Sequence, residues 1–190
     1  MTRIVLLAGP SGSGKSRLAR LLGAHPFRLD DFYRDAGPGL PRAHGIVDWD
    51  DPRTWDGAGA VAALAALVRD GVAEVPVYSI AESRRTGMRR ETLGECRMVV
   101  AEGIFAIELL GLARAAGLVV DPVYLDRNRT LVGVLRLRRD LARKRKPPLV
   151  LLRRGYALWR GQPALRRRAL AAGFRPLPTM RAAIRELSGD

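Results

Sequence analysis

Short apolar runs alternate along this chain with stretches whose apolar residues recur every three or four positions. Ile4–Ala8, five apolar residues in succession, predicts a first strand. From Lys15 to about Leu22, Leu18, Leu21 and Leu22 keep the helical period. Pro26–Leu29 predicts a short second strand ending at Asp30, and the Gly-, Pro- and charge-rich segment Asp35–Asp51 predicts a loop. A helix is expected from about Pro52 or Arg53, since proline suits a first turn; Val61, Leu64, Leu67 and Val68 form its buried stripe and Gly71 ends it. Glu74–Tyr78 and Met98–Glu102 predict two more strands, separated by a polar, arginine-rich excursion. A helix over about Phe105–Ala116 and a strand from Leu118 to about Leu125 follow. The remainder reads as helical: Arg129–Arg145, stopped at Lys146-Pro147-Pro148, then Leu149 to about Arg168, then Pro178–Leu187. Such alternation predicts an α/β fold of three layers, a mostly parallel sheet between helices. No internal repeat or linker breaks the pattern, so residues 1–190 are expected to form one domain.

Composition narrows the class only slightly. At 47% apolar and 27% charged residues the chain has the make-up of a soluble globular protein. No apolar run approaches the roughly 20 residues needed to cross a bilayer, and the five after Arg3 are too few for a secretory leader. One cysteine, Cys96, excludes an internal disulfide and fits a reducing, cytoplasmic setting; it reads as a small packed side chain. His25, His44 and that cysteine have no zinc-site spacing.

Charge is more informative by position than by total. The formal net charge is +14, yet up to Asp126 there are 15 basic and 16 acidic residues, whereas from Arg127 onward there are 18 and 3. Such a tail could carry nucleic acid or form a cationic cover over a polyphosphate site. Only three of the 33 basic residues are lysine, which points to a compositional preference for arginine and favours the second reading. Arg166-Arg167-Arg168 reads as a solvated helix face, and Trp55 and Trp159 as packing residues.

The first chemical signal is GPSGSGKS, residues 9–16. Gly9, Gly14, Lys15 and Ser16 satisfy the phosphate-loop pattern G-x-x-x-x-G-K-[ST], with a strand before it and a helix after it. Its glycines let successive N–H groups turn inward, so Ser11, Gly12, Ser13 and the following Arg17 join the expected cradle for ATP. Lys15 should reach the β- and γ-phosphates, and the Ser16 hydroxyl should sit on Mg²⁺. A lysine and a hydroxyl here disfavour a dinucleotide fingerprint. The chain's one asparagine, Asn128, lies in Asp126-Arg127-Asn128-Arg129 and does not make the base-reading motif of a GTPase. A small-molecule phosphotransferase is the best fit.

Two acidic strand ends extend that reading. Open parallel sheets place ligands beyond the carboxyl ends of their strands, so Asp30, at the end of the second strand, is a candidate base toward an acceptor hydroxyl. A turn or helix-capping role for Asp30-Asp31 is the competing view. Glu102, after Val99-Val100-Ala101, is a candidate for orienting Mg²⁺ directly or through water, and the glycine behind it permits a close backbone approach; helix capping is again the alternative.

Taken in order, GPSGSGKS, Asp30-x-Phe32-Tyr33, Asp48-Trp49-Asp50-Asp51-Pro52, Val77-Tyr78, Glu102-Gly103 and Arg136–Lys146 resemble the uridine kinase and phosphoribulokinase-like branch of P-loop kinases, over roughly residues 3–146. The resemblance implies a P-loop NTPase fold. It implies that Asp30 is the base toward a sugar hydroxyl, that Tyr33 and Tyr78 line the acceptor pocket, and that Asp50 binds vicinal hydroxyls. It also implies that Arg136, Arg139 and Lys146 belong to a helical lid, over about 136–160, that brings positive charge to sugar and phosphates, Arg139 among the catalytic groups. Two departures stand out. The histidine that reads the pyrimidine in uridine kinases is missing after Tyr78, where the chain reads Ser79-Ile80-Ala81-Glu82-Ser83-Arg84. The lid turn is Arg143-Lys144-Arg145-Lys146-Pro147-Pro148, without glycine. The expectation is therefore an ATP- and Mg²⁺-dependent kinase for a primary hydroxyl of a nucleoside or other sugar-like alcohol, with the acceptor and the oligomeric state open. One competing expectation is a nucleotide-dependent protein that binds nucleic acid through its basic tail. Another is a kinase of a phosphorylated sugar or vitamin-like alcohol, with Arg84-Arg85 and Arg89-Arg90 on an acceptor anion.

Overall fold

A computed structural model describes residues 2–43, 45–142 and 148–189; at 139–142, 148–154 and 156–158 it describes the backbone alone. His44, Lys146 and most of the lid turn lie outside the described residues. Strands β1 (Arg3–Ala8), β2 (His25–Arg28), β7 (Met98–Glu102), β8 (Val120–Leu125) and β9 (Arg175–Leu177) form a mostly parallel sheet in the order β2-β7-β1-β8-β9. Helices flank it, as the alternating pattern predicts. Two short antiparallel pairs stand apart from it, β3 (Arg42–Ala43) with β4 (Ile46–Val47), and β5 (Val72–Ser79) with β6 (Arg84–Thr92).

By contact density the chain divides into two compact units. The first comprises Met1–Leu6 and Gly23–Asp121. In it, β2 runs parallel to β7 with Arg28 opposite Glu102, so both strands end at the same level. A one-turn 3-10 helix, Leu29–Phe32, follows β2 directly. Helix α2 (Gly57–Asp70) packs against α3 (Ala106–Ala115) and against β5. Leu64 and Leu67 are fully buried, each adding about 2 kcal/mol of hydrophobic stabilisation. α2 starts later than its proline suggests. Pro52–Thr54 form a separate turn capped by Asp51, and Asp56 begins the true helix by accepting from the Gly59 N–H at 3.0 Å.

The arginine-rich excursion is a correction to the sequence reading, because it is the nine-residue strand β6, paired along the whole of β5. Its residues alternate mostly between exposed and half-buried with one large apolar residue, Met88, which is itself exposed. Apolar alternation, the usual strand signal, was therefore absent.

The second unit comprises Leu7–Leu22 and Pro122–Asp190. Helix α1 (Lys15–Leu21) packs against α6 (Met180–Ser188), and α4 (Arg129–Ala142) against α5 (Pro148–Ala171). Thr179 caps α6 through the Ala182 N–H at 3.0 Å, and Ala183 and Leu187, one turn apart, are its buried residues. The three-residue β9 was not anticipated: Arg175-Pro176-Leu177 has too few residues to show a period. It pairs parallel to β8, and Val123, Leu125 and Leu177 are buried along it.

Candidate active site

Within the second unit the segment between β1 and α1 is a loop whose peptide carbonyls are held by cations. Lys15 is 8% exposed and its Nζ donates to the Gly9 carbonyl at 2.9 Å and the Pro10 carbonyl at 3.3 Å. Arg136, from the middle of α4, is 4% exposed and donates through Nε to the Ser11 carbonyl at 2.8 Å, with Nη2 on the same oxygen. Arg127, just beyond β8, donates to the Ser13 carbonyl at 2.9 Å. Gly12 has a left-handed φ of 84°, and a Cβ there would meet the Arg136 Cβ at 2.9 Å, so this position needs glycine for backbone and for space alike. No side chain caps the start of α1, and Ser16 and Arg17 are exposed in its first turn. Ser13 is fully buried, with its hydroxyl against Gly9.

The first unit carries a different assembly. Asp30 and Asp31 are neighbours in the 3-10 turn after β2, and their surroundings separate them. Asp31 is 4% exposed and forms an ion pair with Arg89 at 3.0 Å, with Arg28 more distant at 3.9 Å. Asp30 is half-buried and turns toward the end of β7. A Cβ on Gly103 would lie 3.1 Å from Asp30 Oδ1 and 2.7 Å from the Leu29 Cβ. Because Arg28 pairs with Glu102, the Asp30 carboxylate and Glu102 belong to one corner of the sheet.

Beside that corner lies a cluster of aromatic rings. The Tyr33 ring stands 5.3 Å from Trp49, 5.5 Å from Tyr78 and 5.7 Å from Phe105. Trp49 and Tyr78 are 6.3 Å apart, and Trp55 stacks on Phe105 at 5.1 Å. These separations are those of favourable edge and offset contacts. Tyr33 donates its hydroxyl to the Trp49 carbonyl at 3.2 Å, and Tyr78 donates to the Arg34 carbonyl at 3.4 Å. Burial, with Asp35 near it, pushes the Tyr78 phenol up from its ordinary value, so it stays a neutral donor. Trp55 is 4% exposed with its Nε1 on the Leu29 carbonyl at 3.0 Å, the packing role expected of it. Asp50 is exposed, one residue from Trp49, in the turn that Asp48 stabilises by accepting from the Asp50 N–H at 3.2 Å.

Three of the four arginines of the β5–β6 hairpin are committed to this unit's own carboxylates, and the fourth, Arg90, is exposed. Arg84 pairs with Glu82 at 2.6 Å. Arg85 donates to Asp56 at 3.0 Å and to the Tyr33 carbonyl at 3.2 Å, and its backbone N–H donates to Asp35 at 2.7 Å. Arg89 bridges Asp31 and Glu91, and Glu91 also meets His25 at 3.2 Å. Burial raises the Asp56 carboxyl, but the Gly59 N–H and the Arg85 guanidinium outweigh it and hold the group below its usual range.

The structure therefore gathers Gly9, Ser11, Gly12, Ser13, Gly14, Lys15, Ser16, Arg17 and Arg136 in one unit and Asp30, Tyr33, Asp50, Tyr78 and Glu102 in the other. Arg139 is described by its backbone alone, within α4. Sequence reasoning did not find Phe105 or Arg127 as members of these assemblies, quoted Trp49 only within a motif, and offered Arg85 and Arg89 only for an acceptor anion. Arg127 had one signal, its place directly past the carboxyl end of a strand. Among the described residues no three His, Cys, Asp or Glu side chains cluster as a metal cage. Ser16 and Glu102 are hard oxygen donors of the kind that suits Mg²⁺, an ion usually held by one or two protein groups together with phosphates and water.

No protein-family model matches the chain. It is 26% identical over 161 residues to the uridine kinase of Psychromonas ingrahamii, covering 78% of this chain and 74% of that one. It is 26% identical over 152 residues to the uridine kinase of Shewanella pealeana, covering 74% and 70%. A shorter stretch of 110 residues is 33% identical to an inorganic pyrophosphatase of Arabidopsis thaliana, 55% of this chain but 15% of that protein's length. Among solved structures, a candidate fructose transport system kinase from Silicibacter superposes with a TM-score of 0.61 at 21% identity, over 93% of this chain and 90% of that one. A candidate uridine kinase from Bacillus stearothermophilus gives 0.50 at 20% identity, over 70% and 75%. At these identities the two structures speak to the fold alone.

Proposed function

We propose that this chain, a member of the uridine kinase-like family of P-loop kinases, transfers a phosphoryl group from ATP to a primary hydroxyl of an uncharged, ring-bearing small alcohol, a nucleoside or a free sugar. The observation that carries the acceptor class is the pairing of the three hairpin arginines other than the exposed Arg90. Arg84, Arg85 and Arg89 are each matched to carboxylates of their own unit. An acceptor bearing its own phosphate would have to compete with those carboxylates for the cations. The rings of Tyr33, Trp49 and Tyr78 instead offer flat apolar faces for a sugar or base, with Asp50 exposed beside them for hydroxyl groups.

In this reading the loop Gly9–Ser16 takes the triphosphate. Lys15 leaves the Gly9 and Pro10 carbonyls for the β- and γ-phosphate oxygens, since a charge-assisted bond to phosphate is stronger than one to a neutral carbonyl. Ser16 and Glu102 are the candidates to hold the Mg²⁺ supplied with the nucleotide, which would neutralise charge on the phosphates. Asp30 accepts the proton of the acceptor hydroxyl as its oxygen attacks phosphorus. Asp31 cannot share that task without giving up its part-buried ion pair with Arg89. That division of labour between adjacent aspartates supports Asp30 as the base.

The test is ATP turnover against a panel of nucleosides, free hexoses and pentoses, and the matching sugar phosphates. Turnover confined to the uncharged members supports the proposal. Turnover confined to phosphorylated acceptors, or none with any member, overturns it. The missing pyrimidine-reading histidine leads us to expect no preference for uridine over cytidine within the panel.

A further inference from the structure

We infer that Arg127 and Arg136 are positioning residues of the phosphate loop, setting its peptide planes before any nucleotide arrives. The inference rests on the proposed reading of the loop as the donor site and adds what builds that site. In a trans peptide the carbonyl and the following N–H point in opposite directions. Arg136, by holding the Ser11 carbonyl, fixes the plane that carries the Gly12 N–H. Arg127, by holding the Ser13 carbonyl at 2.9 Å, fixes the plane that carries the Gly14 N–H. Two N–H groups at alternate positions are thus oriented from outside the loop, on the side away from the guanidinium groups. Arg136 is 4% exposed and its Cβ rests against Gly12, so its aliphatic part braces the loop while its head bonds to it. Each guanidinium also adds a positive charge behind the loop, and that of Arg136 does so at low exposure, where a polyphosphate gains from it most.

This differs from the lid role that the resemblance implies for Arg136, a direct contact with sugar or phosphate. A direct ligand of the terminal phosphate would matter for ATP and little for ADP. A residue that shapes the loop matters for every ligand the loop holds.

The experiment is calorimetric titration of the full chain with ATP, ADP and inorganic pyrophosphate, for the wild type and for Arg136→Gln, Arg136→Lys and Arg127→Gln. Each glutamine variant is expected to weaken all three ligands by a similar factor of about ten, the loss of one charge-assisted bond. Arg136→Lys is expected to recover part of that loss, since one ammonium donor can still reach a carbonyl. The thermal midpoint of Arg127→Gln, a half-buried site, should stay near that of the wild type, which separates loop setting from general destabilisation. Should Arg136→Gln fold poorly, Arg127→Gln carries the test alone. Weakened ATP binding with unchanged ADP and pyrophosphate binding overturns the inference in favour of direct contact, and unchanged binding of all three overturns it outright. A wild type that binds none of the three removes both this inference and the proposed function. Loss of binding in the variants of a wild type that transfers phosphate to no acceptor removes the proposed function alone.

Discussion

The phosphate loop of the second unit and the hairpin of the first differ in what their central cations hold. In the second, Lys15, Arg127 and Arg136 bond to main-chain carbonyls of one loop, with no aromatic ring and no carboxylate among those contacts. In the first, Arg84, Arg85 and Arg89 are matched to Glu82, Asp56, Asp31 and Glu91, and the surface beside them is built from Tyr33, Trp49 and Tyr78 over the buried Phe105. The difference follows from what each would bind. A triphosphate is recognised by charge and by N–H groups, which any sequence of small residues can supply once its backbone is fixed. An uncharged alcohol offers neither charge nor a fixed set of acceptors, so shape and ring faces must distinguish it, and stray positive charge beside it would invite the wrong ligand.

The largest effects should come from the group at the centre of each assembly. Lys15→Met is expected to weaken ATP binding by at least tenfold and to lower turnover by about a hundredfold or more. Asp30→Asn should lower turnover by about a hundred- to ten-thousandfold, the usual span for a lost general base, while ATP affinity stays within a factor of two or so. A coupled kinase assay and a nucleotide titration check both. If Asp30→Asn weakened ATP binding as much as Lys15→Met does, the division between a charge-reading and a shape-reading assembly would fail.

Next in size is Gly103→Ala. Its new methyl group would fall 2.7 Å from the Leu29 Cβ and 3.1 Å from Asp30 Oδ1. Neither neighbour yields freely, because Leu29 is fully buried and Asp30 follows it in a tight turn. The expected result is a loss of about 1–3 kcal/mol in stability and a fall in kcat of about tenfold as the carboxylate moves. Unfolding in urea and steady-state kinetics measure the two separately. A destabilised variant with unchanged kcat would leave Gly103 a packing residue and weaken the case for Asp30.

How much of this was legible in the sequence differs between the units for the same physical reason. The phosphate loop is local: Gly9, Gly14, Lys15 and Ser16 sit within eight residues, and the motif encodes the backbone itself. The sheet strands were legible where they are buried on both faces, as in Ile4–Ala8 and Val99–Ala101. The β5–β6 hairpin was not, because β6 has arginines where a strand's apolar face is normally read. The sequence pointed to Asp30, but what occupies Asp31 was hidden, since Arg89, which claims it, lies 58 residues away in sequence. The aromatic cluster draws on residues 33, 49, 78 and the buried 105, on no common period, and its members are brought together only by the fold. Even for Arg136, the sequence marked the residue without revealing its partner, the Ser11 carbonyl.

A smaller effect is expected at the aromatic surface. Tyr33→Phe keeps the ring and removes the bond to the Trp49 carbonyl. A neutral hydrogen bond of this kind contributes about 1 kcal/mol, so acceptor KM should rise by up to about fivefold with kcat nearly unchanged. Trp49→Ala removes a ring face and should raise KM further. If either variant instead lowered kcat with KM constant, Tyr33 would act in the chemistry rather than in binding.

The smallest effect is the one that separates the two uses of arginine most directly, because a carboxylate titrates and a carbonyl does not. Asp56 caps α2 and pairs with Arg85, which in turn holds the Tyr33 carbonyl. Its carboxyl is held below the ordinary value of 3.8 by the Gly59 N–H and by Arg85, against the opposing push of burial. A depressed folded-state value means that the stabilisation is complete above the ordinary value and is lost as pH falls through the depressed one. Asp56→Asn keeps the cap, since asparagine serves there as well as aspartate, and loses the ion pair. With the Asp56 side chain 24% exposed, solvent screens that pair, and the variant should be less stable near neutral pH by no more than about 1 kcal/mol. On acidification the wild type should lose its advantage while the variant changes less, so that their urea midpoints converge below the ordinary carboxylate range. No such convergence is expected for Arg127→Gln, whose lost partner is the Ser13 carbonyl and carries no proton to gain. A constant gap between Asp56→Asn and wild type across the acid range would mean that the Arg85 contact contributes nothing to the fold, and that the aromatic surface is held by packing alone.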